Sequence, residues 1–92
     1  MKDLNQLRQE IDIIDRQIVA LFEQRMAVTK QVGEYKLAKG VPVLDRSREE
    51  QVLASKAALL QDKGLTQDVT DLFEAIMAIS RRQQQGLLDA AK

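Results

Sequence analysis

Arg25 occupies a position that the surrounding sequence reserves for an aliphatic side chain. Steps of three and four residues from Leu4 pick out Leu7, Ile11, Ile14, Ile18, Leu21, Arg25, Val28, Val32 and Tyr35, the seam of a helix packed against other helices. Arginine is rarely buried without a partner, so a cation in that seam either neutralises a buried carboxylate or awaits an anionic ligand. Periodicity alone leaves both readings open. Lys36 follows eleven residues later, which at ~100° per residue returns to nearly the same face, about 16 Å along the axis. Both cations can lean toward one small anion between them. Arg8, 17 residues before Arg25, is roughly 26 Å away and turned by about 100°, so it cannot join that site within its own chain. An antiparallel second copy would bring its own Arg8 alongside.

The last third of the chain repeats the anomaly. Continuing the apolar stripe Val69, Phe73, Ile76 and Met77 by helical steps lands on Ser80 and Gln84, so neutral hydrogen-bonding groups face inward. Stepping backward from Val52 and Leu53 places Arg48 and Glu49 on the inward side of another helix, beside its amide-rich N-terminus at Asp45. Three arginines, a lysine, a carboxylate, an amide and a hydroxyl suit a small dicarboxylate that carries a hydroxyl: cations for its carboxylates, Glu49 for its hydroxyl, donors for any other oxygen. Each residue also has a plainer reading. Arg8 and Lys36 can be solvated surface residues, Arg48 and Glu49 first-turn helix residues, Asp45 a cap, and Ser80 and Gln84 the edge of a stripe. Their convergence is what favours a site.

The elements that must position these residues are helices. Asp3 with Gln6 forms a capping box, and the run from Leu4 to Lys39 has no proline and a single glycine, Gly33. Gly40 and Pro42 end that helix and open a loop to Leu44. Asp45 is the expected N-cap of a second helix, which stops by Lys63 with Gly64 as its left-handed terminator. Thr66 is the expected cap of a third, running to about Gln85 and fraying after Gly86. The fold class is therefore all-α, one domain over residues 1–92, with three helices and a long first one. A 36-residue helix is roughly 54 Å long, more than the other two can cover, so two copies are expected to pack their first helices antiparallel in a shared bundle.

Composition narrows the chemistry. Fourteen basic and fourteen acidic residues leave no global field for a nucleic acid or an anionic membrane. Without histidine or cysteine, zinc sites, thiol nucleophiles and Ser-His-Asp chemistry are excluded. The N-terminus lacks the apolar core of a signal peptide and no run approaches a membrane span, which makes a cytoplasmic protein the expectation.

These residues stand in an order that resembles the all-helical chorismate mutases of the AroQ class. The likeness covers essentially the whole chain: Leu7-Arg8, Ile14-Asp15, Glu23-Gln24-Arg25, Val28, and Val32-Gly33-Glu34-Tyr35-Lys36. It is most specific at Pro42-Val43-Leu44-Asp45-Arg46-Ser47-Arg48-Glu49, which looks like the P-V-x-D-x-x-R-E signature, with Ser80 and Gln84 in phase on the last helix. The resemblance implies a domain-swapped, six-helix homodimer with two sites, converting chorismate to prephenate in aromatic amino-acid biosynthesis. It assigns the two substrate carboxylates to Arg25 and to Arg8 of the partner subunit, with Ser80 assisting. It assigns the ether oxygen to Lys36 and Gln84, and the ring and its hydroxyl to Arg48, Glu49 and the backbone of Asp45.

The implied reaction is an intramolecular Claisen rearrangement, which needs no nucleophile, general base, metal or cofactor. It asks for a compact substrate conformer and for positive charge at the oxygen of the breaking C–O bond. Three rival readings are kept. An isochorismate-pyruvate lyase shares this fold; a non-catalytic helical module could bind a metabolite or regulate an aromatic-pathway partner enzyme; and a bundle-forming adaptor would neutralise Arg25 with protein carboxylates and leave no ligand-sized cavity.

Overall fold

The computed structural model describes all 92 residues as three helices and no strand: α1 Leu4–Lys39, α2 Arg46–Ala58 and α3 Thr66–Ala90, with a 3-10 turn at Lys63–Leu65 leading into α3. The bounds of α1 follow from its ends. The Asp3 carboxylate accepts from the Gln6 N–H at 2.8 Å, and the Gln6 side chain accepts from the Asp3 N–H at 3.1 Å, satisfying two otherwise orphaned donors. At the other end Gly40 adopts φ 68°, and the Val41 N–H reaches back to the Lys36 carbonyl at 2.9 Å. This left-handed cap reverses the chain under the last turn of α1, which brings residues 41–45 back toward Lys36. Asp45 caps α2 as expected, accepting from the Arg48 N–H at 3.0 Å.

Three boundaries differ from the sequence reading. The second helix ends at Ala58, and Gly64 is not left-handed; Gly40 is the glycine with positive φ. The Asp62 carboxylate accepts from the Gly64 N–H at 2.9 Å, winding Lys63–Leu65 into a 3-10 turn. That turn feeds straight into α3, so Thr66 is its first helical residue and not its cap. Its hydroxyl donates to the Lys63 carbonyl at 2.8 Å. Finally, α3 runs through Gly86 to Ala90. A helical glycine costs about 1 kcal/mol relative to alanine, and the partial burial of Leu87 and Leu88 just beyond it offsets that cost.

Gly33 sets how closely α3 lies on α1. It is the one buried residue of α1, and a Cβ there would come within 2.8 Å of both Gln84 Cγ and Leu87 Cδ1. Only five residues are buried: Gly33, Val52, Met77, Ser80 and Gln84. The best-packed part of the chain is thus the junction of its three helices, and it is partly polar.

Elsewhere the chain is open. It measures 57 × 25 × 14 Å with a radius of gyration of 16.7 Å, against about 12 Å for a compact chain of this length. Its accessible surface is 7275 Å², where a compact monomer of this mass exposes about 5,400 Å². Ile11, Ile14, Ile18 and Leu21, all on the α1 seam, are each more than half exposed. No helix is long and apolar enough to cross a membrane.

Replacing Gly33 by alanine is expected to push Gln84 and Leu87 off α1 and to lower stability by about 1–3 kcal/mol. A urea midpoint measured at fixed protein concentration reads this directly, and an unchanged midpoint would mean that α3 is not seated so closely.

Candidate active site

A cavity of about 300 Å³ opens at the three-helix junction, within the range of small-molecule sites. From α1 it is lined by Arg25 and Lys36, from the loop and start of α2 by Asp45, Arg48 and Glu49, and from α3 by Ser80 and Gln84. Val28, Val32, Val43, Val52 and Met77 supply its apolar wall. Of the eight residues singled out from the sequence, Arg8 alone is absent from the lining; it stands exposed on the first quarter of α1.

Arg25, Lys36 and Arg48 are held by neutral groups. The Arg25 Nη1–H donates to Ser80 Oγ at 2.9 Å, and that hydroxyl in turn donates to the Ile76 carbonyl at 3.0 Å. Lys36 Nζ donates to the Val43 carbonyl at 2.9 Å, which leaves two ammonium protons for a ligand. Arg48 Nη1 donates to the Gln51 side chain at 3.0 Å. The ion pairs of the chain are Lys2 with Glu10, Lys92 with Asp89, and Arg81 with Glu49, so none involves Arg25, Lys36 or Arg48. The adaptor reading required the opposite. Including Arg81, which also lines the cavity, four cationic side chains face two carboxylates, a net charge of +2.

The buried amide at Gln84 is fixed by α1. Its Nε2 donates to the Thr29 carbonyl at 3.3 Å, leaving a second N–H of this cavity-lining residue available. The adjacent Gln83 donates from Nε2 to the Met26 carbonyl at 2.9 Å and accepts from the Thr29 hydroxyl at 2.8 Å. These bonds set the register of α3 along α1, and no buried side-chain polar atom is left without a partner. Sequence reasoning missed Thr29, Gln83 and Arg81. The first lies one turn beyond Arg25 and the last one turn beyond Met77, a phase that could have drawn attention to both.

Fold and site together define an all-helical protein with a small cleft suited to an oxygen-rich dianion. Residues 7–85 match the family model of chorismate mutase type II, and the chain belongs to that family. Among its relatives, the T-protein of Haemophilus influenzae is 32% identical over 71 residues, covering 77% of this chain and 19% of the T-protein. The intracellular chorismate mutase of Mycobacterium tuberculosis is 37% identical over 60 residues, 65% of this chain and 57% of that protein. The chorismate mutase of Methanocaldococcus jannaschii is 24% identical over 90 residues, 97% of this chain and 91% of its own. The chain thus spans about a fifth of the T-protein's length. No solved structure matches it.

Proposed function

We propose that this chain is a chorismate mutase that rearranges chorismate to prephenate, as one cytoplasmic domain over residues 1–92 serving aromatic amino-acid biosynthesis. One observation carries the reading: Arg25, Lys36 and Arg48, unpaired with any protein carboxylate, face one cleft beside Ser80 and Gln84 in a chain of this family. The substrate is a dianion, and the net charge of the cavity lining, +2, is its complement.

In the reaction one C–O bond breaks as one C–C bond forms within a single molecule, so the protein exchanges no atoms or protons with the substrate. Its contribution is conformational restriction and electrostatics. Arg25, steadied by Ser80, takes one carboxylate, and Arg48 with the apolar wall holds the ring. Glu49 and the Asp45 backbone take the ring hydroxyl. The remaining protons of Lys36 and Gln84 point to the ether oxygen, which gains negative charge as its bond to carbon stretches.

Arg8 of the partner subunit completes the site in a domain-swapped, six-helix homodimer. Each chain exposes about 1,900 Å² more than a compact monomer would, chiefly along an apolar helix, and an obligate dimer interface covers an area of that order. An interaction with an aromatic-pathway partner enzyme fits the same setting.

Incubating the purified protein with chorismate should give prephenate; salicylate and pyruvate from isochorismate would assign it to the lyases instead. Replacing Lys36 by alanine should raise the barrier by about 3 kcal/mol or more, roughly a hundredfold or greater in rate, and near-normal turnover would remove Lys36 from the ether oxygen.

Gln84→Glu should be inactive at neutral pH, where a carboxylate repels that oxygen, and should recover as acid protonates it. A flat pH profile would place Gln84 elsewhere.

Mixing inactive Arg8→Ala and Arg25→Ala chains should restore activity, because a hybrid dimer holds one site with both arginines. No recovery after verified subunit exchange would show that Arg8 does not act in trans.

A further inference from the structure

Arg81 is the cation of the cleft that does have a carboxylate partner. Its Nη1 alone contacts both oxygens of Glu49, at 2.5 and 2.6 Å, joining the first turn of α2 to α3. The pair is mostly shielded, with side-chain exposures of 36% for Arg81 and 25% for Glu49. It forms a wall: both residues line the cleft on one side and a shallow surface groove on the other. That groove also carries Glu50 and Glu74, yet Arg81 bridges to neither.

The choice of partner has a consequence for the other cations. Glu49 lines the same cavity as Arg25, Lys36 and Arg48, and without a dedicated counter-ion its carboxylate would be drawn to one of them. It would then neutralise a group meant for the substrate and repel an incoming dianion. An arginine contact to both oxygens removes that competition. It also fixes the carboxylate plane, so the lone pairs not taken by Arg81 can accept a hydroxyl proton.

We propose that Arg81 is a positioning residue which reserves Glu49 for the substrate's ring hydroxyl and keeps it off the substrate-binding cations Arg25, Lys36 and Arg48. The inference rests on the proposed mutase reading, since it needs a substrate with both carboxylates and a hydroxyl. Arg81 acts through Glu49, so the effect falls on substrate binding more than on the chemical step.

The test uses the full-length protein. Arg81→Met should raise KM about tenfold while kcat changes less than about threefold, and Arg81→Lys should recover part of the loss, since a single nitrogen makes the contact to both oxygens. In a Glu49→Gln background, Arg81→Met should add less than about a twofold change, since the two residues act as a unit. With a chorismate analogue lacking the ring hydroxyl, wild type and Arg81→Met should differ less than they do with chorismate. The labelled ¹³C carboxyl resonance of Glu49, assigned by its loss in Glu49→Gln, should move in Arg81→Met. This last readout needs no turnover. An unchanged KM, an equal loss in the Glu49→Gln background, or an unmoved resonance in an active enzyme overturns the role of Arg81 alone. Absence of prephenate from the wild-type protein overturns the mutase reading and this inference with it.

Discussion

One turn of α3, from Ser80 to Gln84, carries the polar connections between helices. Ser80 holds Arg25 of α1, Arg81 holds Glu49 of α2, and Gln83 and Gln84 grip the α1 carbonyls at Met26 and Thr29. Removing one partner of a buried hydrogen bond costs about 1–3 kcal/mol, because the other is left unsatisfied. Packing between apolar helices can slide with little penalty, whereas these bonds admit one register. The turn therefore fixes both the mutual placement of the helices and the aim of the side chains in the cleft.

That arrangement explains why so small a core suffices to define a site. Val52 and Met77 are the buried apolar side chains, and they share the interior with Ser80 and Gln84. Core and cleft are the same region, so stability and site geometry are not separable there. Gly33 makes the close approach possible; any side chain at that point would meet Gln84 and Leu87 at once.

The first half of the fold was legible because its signals are local. A capping box at Asp3 and Gln6, an uninterrupted seam and Gly40 with Pro42 specify α1 with both its ends, and the break in the seam exposes Arg25. The misread boundaries are of another kind. Lys63-Gly64 suits a left-handed terminator as well as a 3-10 turn, and the side chain of Asp62 decides between them. The extension of α3 past Gly86 depends on burial of Leu87 against α1, a contact between distant parts of the chain. Arg81 was harder to read for the same reason: its phase, one turn beyond Met77, marks an inward position, but its partner is 32 residues away. Local chemistry shows where α1 and α2 begin and which residues are out of place; tertiary pairing decides which of them are already satisfied.

Within the cleft Arg25, Lys36 and Arg48 have no carboxylate partner, which leaves an excess of positive charge there in a chain whose net charge is zero. Arg25, Lys36 and Arg48 share one small cavity, and in the mutase reading the substrate is the counter-ion that the polypeptide itself omits. A ligand that binds only the folded state stabilises it by mass action, about 2.7 kcal/mol at a hundred times its dissociation constant. On that reading folding and substrate binding are one linked equilibrium, in which a dianionic ligand adds to the stability of the native form.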